Sequence, residues 1–262
     1  MRWMIYVISS LLLIASVGAG TLAFLLHKYG KGLPDYGQLA NYKPPVVTRV
    51  HSGDGRLIAE YAKERRVFIP VNVMPKLLIK AFLSSEDKNF FEHSGIDPVS
   101  LMNAAINNLL NFYKNKRPRG ASTITQQVAK NFLLSNELSL ERKIKEAILA
   151  FRIEKAFSKN RILELYLNEI YLGMGSYGVA AAALNYFDKS LDELTVEEVA
   201  YLAALPKAPN NYHPVRRKSA AKARRNWVIK KMHENGFISK TTMEIAQSIE
   251  LKTKPRSETE FV

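Results

Sequence analysis

Residues 86–95 read Glu-Asp-Lys-Asn-Phe-Phe-Glu-His-Ser-Gly, and the chain is organised around Glu86. The residues before it, Pro75 to Ser85, carry a helical pattern. Pro75 suits the first helical position, where a missing N–H costs nothing. At about 100° per residue, Glu86 falls among Leu78, Ile79, Phe82, Leu83 and Phe90. An acid centred on an apolar stripe is either a partly exposed residue at a fraying helix end or a working group. Burial disfavours the charged form, which moves a carboxyl toward the range useful for general acid or base chemistry.

The chain has 262 residues, 47% of them hydrophobic, enough for one sizeable domain or two small ones. With no cysteine it has no disulfide, thiolate metal site or cysteine nucleophile. A formal net charge of +14 points to an anionic partner: nucleic acid, anionic lipid or a phosphorylated substrate. Met4 to Leu26 carries no charge, is apolar apart from Ser and Thr, and at about 20 residues is long enough to span a bilayer. The competing reading is a signal peptide cleaved near Ala19. The apolar run continues past that point and only Arg2 precedes it, which favours a retained anchor.

Residues 27–45 read as a juxtamembrane linker. A short β element follows, with Val46 to His51 and Leu57 to Tyr61 flanking a turn that contains Asp54-Gly55. Arg66 to Pro70 is a candidate third strand. From Val73 onward the pattern is helical. Asp97-Pro98 starts a helix that runs to about Tyr113, followed by the cations Lys114, Lys116, Arg117 and Arg119. This stretch reads either as a core helix with a solvated loop or as a surface that dips into a membrane. Gly120 to Gln127 places Ser122, Thr123, Thr125, Gln126 and Gln127 at a helix N-terminus, where anions are favoured, with Lys130 one turn on. A plain cap is the alternative.

Ser139 caps a helix to about Phe157 whose expected core stripe is Leu140, Ile144, Ala147, Ile148 and Phe151. Glu146 lies on another face, with Arg142 and Lys143 one turn before it and Lys145 beside it. It reads as half of a structural ion pair or as a second site carboxylate held among cations. Ser158 caps the next helix, which ends near Asn168. Thr195 and Glu198 form a capping box. Arg216 to Asn235 is a basic helix without an aromatic stacking platform, so it reads as solvated or lipid-facing, and no nucleic-acid partner is expected. After Leu251 the chain is expected to fray.

Four segments in order carry a resemblance. They are Glu86-Asp87-x-x-Phe90-x-x-His93-x-Gly95, Gly120-x-Ser122-Thr123-Ile124-Thr125-Gln126-Gln127, Arg142-Lys143-x-x-Glu146, and Lys159-x-x-Ile162-Leu163-x-x-Tyr166-Leu167-Asn168. The chain resembles glycosyltransferase family 51, the peptidoglycan glycosyltransferases at the N-terminus of class A penicillin-binding proteins. The resemblance runs from about Val46 to Gly236. It implies a mainly α, lysozyme-like domain with a small N-terminal β element, preceded by a single transmembrane helix. The organisation expected is residues 1–3 as a short cytoplasmic end, 4–26 as anchor, 27–45 as linker, 46–250 as the glycosyltransferase domain, and 251–262 as a polar tail toward a missing C-terminal domain.

The activity implied is polymerisation of lipid II into β-1,4-linked glycan strands on the periplasmic or extracytoplasmic side of the bacterial cytoplasmic membrane. The partners are lipid II, the lipid-linked strand, the membrane and other cell-wall synthesis proteins. By the resemblance Glu86 is the general base. Glu146 is the second essential acid, which orients the acceptor or holds a divalent metal, Mg2+ or Mn2+. No tightly bound cofactor is implied. Lys130, Arg142, Lys143 and Lys145 match positions near the pyrophosphates, and Asp87, Ser122, Gln126 and Asn168 shape the site. Asn103 falls where family members often carry an Arg, and an amide makes no charged bidentate contact with phosphate. No transpeptidase nucleophile motif is present. A lytic enzyme of the lysozyme type and an inactive membrane-tethered scaffold are the rival readings.

Overall fold

The structure, a computed structural model, describes residues 2–40, 42, 48–54, 57–61, 65–113, 120–134, 137 and 139–254. It is mainly helical. α1 (Arg2–Gly30) is one continuous helix, roughly 44 Å long at the usual rise. Among the described residues no helix is long and apolar enough to cross a membrane. The chain after α1 is tied down. Arg152 Nη2 donates to the Gly30 carbonyl at 3.2 Å. Arg161 Nη2 donates to the carbonyls of Leu39 and Ala40, and Leu39 is buried. The stretch read as a linker is thus docked on the domain over its described part.

β1 (Thr48–His51) and β2 (Leu57–Tyr61) pair antiparallel as the expected hairpin. The third strand is different. β3 (Arg65–Arg66) pairs in parallel with β4 (Ser176–Tyr177), far along the chain, and residues 67–70 form no ladder. The reason is local. Ile69 N–H and C=O are both satisfied by the Asn168 side-chain amide at 2.8 Å, and Val71 N–H donates to Glu164. Pro70 has no N–H to offer. Side chains of one helix thus replace a neighbouring strand as the partner of this backbone.

Nine helices follow among the described residues: α2 (Lys76–Glu86), α3 (Pro98–Tyr113), α4 (Ile124–Leu133), α5 (Leu140–Ala156), α6 (Lys159–Glu169), α7 (Val179–Phe187), α8 (Val196–Leu202), α9 (Lys218–Glu234) and α10 (Lys240–Ser248). Their starts carry the expected caps at Asp97, Thr123, Ser139, Ser158 and Thr195, and Ser239 caps α10. Pro75 sits one position earlier than expected, at the cap itself. α4 packs against α5 and α6, while α2 packs against α8 and α9. Phe82 of α2 meets Tyr166 of α6 edge to face at 6.3 Å, so one core joins the two halves.

Three expectations are overturned. The core stripe of α5 is only partly the one the wheel gave, with Ile148 buried as expected. Leu140 and Phe151 are 79% and 48% exposed, while Glu146, Leu149, Ala150 and Ile153 turn inward. The cause lies in the 86–95 loop. Gly95 has φ +94 and rests directly on α5, where an added Cβ would lie 2.8 Å from the Ala150 carbonyl. The α9 cations are not uniformly solvated, because Arg225 is fully buried and donates from Nη2 to the carbonyls of Gln247 and Ile249. Fraying after Leu251 does not occur over residues 252–254, where Lys254 N–H donates to the Tyr186 carbonyl, and 255–262 lie outside the described residues.

α3 stands apart. Val99, Leu101, Met102, Ile106, Leu109, Leu110 and Phe112 are each more than half exposed. The basic loop of Lys114, Lys116, Arg117 and Arg119 lies outside the described residues. Of the two readings, an apolar surface therefore fits α3 and a core helix does not.

The Gly95 contact yields a stability test. Gly95→Ala forces a side chain into a left-handed backbone and against α5. It should cost about 2–4 kcal/mol, read as a lowered urea midpoint at unchanged slope.

Candidate active site

Glu86 is the last residue of α2, and the turn after it is built by Asp87. The Asp87 carboxylate accepts from His93 Nε2 at 3.0 Å and from the Ile124 N–H at 2.9 Å. His93 Nδ1 in turn accepts from the Gly95 N–H, which fixes the neutral tautomer with its proton on Nε2. Thr123 Oγ1 donates to the Gly95 carbonyl at 2.6 Å while also capping α4. The loop and the start of α4 are therefore one hydrogen-bonded unit. It holds Glu86 at the floor of a cleft of about 480 Å³, within the size range of small-ligand sites. Asn103 of α3, Ser122 and Trp227 of α9 line the same cleft.

The Glu86 carboxyl is crowded by protein on most sides, and this burial pushes its pKa up. A hydrogen bond from Gln127 Nε2 to Oε2 at 3.0 Å works the other way, as do the charges of Arg224 and Lys207. A cluster of cations stands to one side. Arg142 and Lys143 each reach one oxygen of Glu146, which is 2% exposed, and the Lys143 contact is 2.6 Å. Lys143 Nζ also donates to Ser122 Oγ at 2.7 Å. Burial and mutual repulsion pull the pKa values of Lys130 and Lys143 below the ordinary lysine range. One carboxylate among three cations leaves a net positive site that a dianionic group would relieve.

The structure sorts the residues named from the sequence. Glu86, Ser122, Lys130, Arg142, Lys143 and Glu146 come together. Asp87 stands directly behind them as a positioning group. Three do not join. Gln126 is buried and spends its side chain on the capping box with Thr123, and it is Gln127 that touches Glu86. Asn168 gives its whole amide to Ile69 and Glu164. Lys145 pairs with Glu141 at 2.6 Å on the outer side of α5. The reading missed Arg224, Lys207 and Trp227. The signal at Arg224 was present in principle, since it adjoins Arg225, which lies on the apolar stripe Ala221, Val228, Ile229 and Met232.

Among the described residues no group of three or more His, Asp or Glu side chains is placed to hold a metal. Both oxygens of Glu146 are already held by cations. The residues as arranged do not fit a resident divalent cation, because one would have to displace Arg142 or Lys143.

A helical domain with a desolvated acid beside a cluster of cations defines a class, and the family comparison gives it a name. Residues 54–233 match the family model described as Transglycosylase, and the chain belongs to that family. It is 53% identical over 245 residues to penicillin-binding protein 1A of Rickettsia prowazekii (strain Madrid E), covering 93% of this chain and 31% of that protein. It is 44% identical over 223 residues to penicillin-binding protein 1A of Escherichia coli (strain K12), covering 85% and 26%. The chain thus spans about a third or less of the length of these curated relatives. The 2.6 Å crystal structure of penicillin-binding protein 1A from Haemophilus influenzae matches at a TM-score of 0.48 and 27% identity, covering 82% of this chain and 22% of that one.

The raised Glu86 pKa makes a prediction about stability. A buried carboxyl that must be charged at neutral pH opposes folding, and this penalty is absent below the unfolded pKa, where both states are protonated. It grows as pH rises to the folded value. Glu86→Gln should therefore raise the denaturation midpoint at pH 7. The gain should shrink as pH falls toward 4.5, the ordinary value for the residue.

Proposed function

We propose that this chain is a peptidoglycan glycosyltransferase that polymerises lipid II into β-1,4-linked strands. The observation that carries the reading is the placement of Glu86. It is a desolvated acid on the floor of a cleft, one hydrogen bond from Gln127 and next to an under-neutralised cluster of Lys130, Arg142 and Lys143. That arrangement suits a displacement in which a hydroxyl loses a proton while a pyrophosphate departs.

The steps follow from these positions. The 4-hydroxyl of the acceptor N-acetylglucosamine approaches Glu86. Its oxygen forms a bond to the anomeric carbon of the donor, and its proton passes to the carboxylate. The bond from that carbon to the lipid pyrophosphate breaks on the opposite face, with inversion. Burial tunes Glu86 to accept the proton, a contribution worth about 10²–10⁴-fold. The negative charge on the leaving oxygen develops beside Lys130, Arg142, Lys143 and the Ser122 hydroxyl, which are already oriented for it. Glu146 keeps Arg142 and Lys143 aligned. No step runs through a metal.

The same reading takes α1 as the single-pass anchor of a lysozyme-like domain on the outer side of the cytoplasmic membrane. The whole sequence of Met4 to Leu26 supports it, being uncharged over a length that spans a bilayer. The exposed apolar face of α3 rests in the same membrane, close to where lipid-linked substrates lie. Other cell-wall synthesis proteins are its partners on this view.

Two experiments test the proposal. Labelled lipid II incubated with the detergent-solubilised protein should become lysozyme-digestible polymer, and Glu86→Gln should lower the rate at least 10²-fold without loss of fold. Shortening of purified strands with lipid II untouched would instead indicate a lytic enzyme. A spin label at Leu110 should be shielded from a water-soluble relaxation agent in vesicles. Accessibility equal to that of an exposed loop removes the membrane role of α3.

A further inference from the structure

α9 carries two adjacent arginines with opposite destinations. Arg225 is fully buried and donates from Nε and Nη2 to Asn226, Gln247 and Ile249, which pins the C-terminal segment, while its Nη1 has no partner among the described residues. Arg224 stacks on an aromatic ring instead. Its guanidinium lies 3.9 Å from the centroid of the Trp227 ring, and Trp227 lines the same cleft as Glu86. Its Nε is buried and has no hydrogen-bond partner among the described residues. Arg224 and Glu86 act on each other electrostatically, and of the charges acting on Glu86 that of Arg224 is the largest. Yet no ion pair joins them among the described residues.

This is an unusual state for an arginine. It is half-buried, its Nε makes no hydrogen bond, and the indole face together with the Glu86 and Tyr212 charges offsets the loss. The spacing from Glu86 has a chemical meaning. A contact ion pair would occupy the lone pairs that must accept a proton. A cation just beyond contact favours the charged carboxylate and leaves those lone pairs open.

The other groups facing Glu86 cannot do the same. Asp87 opposes its charge and is bound to His93 and Ile124. Gln127 is neutral. Lys130 from α4 also interacts with the Glu86 charge, but it stands beside Arg142, and burial and that repulsion pull its own pKa down. Lys207 adds a weaker charge and has an interaction of its own. Tyr166 from α6 is buried, and its phenol is pushed far above its usual range by that burial and by the two acids.

We propose that Arg224, braced on Trp227, is the positioning cation of Glu86: it holds the carboxylate in its proton-accepting form from beyond contact distance and leaves the space between them to the sugar hydroxyl. This rests on the reading of Glu86 as the base. It sets the charge of α9 on the opposite account from the α4 and α5 cations, which serve the departing pyrophosphate.

The test is a pH profile of lipid II polymerisation for the whole chain, with Arg224→Gln and Arg224→Lys, paired with a readout that needs no turnover. Arg224→Gln should lose roughly tenfold in rate near neutral pH, a fraction of what a base supplies. Its acid limb should move to higher pH, because removing a cation makes the carboxylate easier to protonate. Arg224→Lys should keep the wild-type limb. The carboxyl carbon of Glu86, observed by 13C NMR and assigned with Glu86→Gln, should titrate at higher pH in Arg224→Gln than in the wild type. Loss of rate with an unmoved limb and an unmoved titration overturns the proposal and leaves Arg224 a packing residue. If the wild type makes no polymer but the Glu86 titration still moves with Arg224, the pairing of acid and cation stands and the assigned reaction falls.

Discussion

The Asp87 carboxylate is the joint on which the site depends. It stands directly after Glu86, and through His93 and the Ile124 N–H it binds the loop to the start of α4. Without it, two donors in the interior would lose their acceptor, each at a cost of about 1–3 kcal/mol. Glu86 would then sit at the loose end of a helix. Three consequences follow from this bond. Glu86 keeps a fixed direction, Gln127 arrives at hydrogen-bond distance from it, and Gly95 is set down on α5. That last contact in turn fixes which face of α5 points inward, and so where Glu146 lies. A short sequence therefore places two acids that are distant in the chain.

The electrostatics of the cleft are left incomplete by the protein itself. Arg142 and Lys143 share one carboxylate, Glu146, Lys130 stands beside them, and the two lysines are held below their usual pKa by burial and by the Arg142 charge. Such strain is tolerable only because the rest of the domain is conventionally packed around Phe82, Tyr166, Tyr186 and Tyr201. The charge at Glu86 is costly in the same way. Activity and stability pull against each other at each of these residues.

Much of this was legible beforehand because the signals were local. Caps at Asp97, Ser139, Ser158 and Ser239 read directly, since a side chain and its own backbone decide them. Glu86 stood out as an acid on an apolar stripe. The failures all involve partners far along the chain. Residues 67–70 looked like a strand, but Asn168 and Glu164 took their backbone groups. The stripe of α5 was misjudged because Gly95 and the ion cluster, not hydrophobicity, set its rotation. Gln126 and Gln127 are indistinguishable in sequence, and only the turn of α4 sends one to the cap and the other to Glu86. Arg224 was read as surface because only the folded chain brings α9 against α2, where the Glu86 charge acts on it.

The bond from Arg152 to the end of α1 carries a mechanical meaning. Arg152 belongs to α5, the same rod that holds Arg142, Lys143 and Glu146 some two turns earlier. α1 packs against α5 at several residues, and Arg161 clamps the chain that follows. The first helix and the cation cluster are thus attached to one rod, and a change in the tilt of α1 would be carried along α5 toward Glu146.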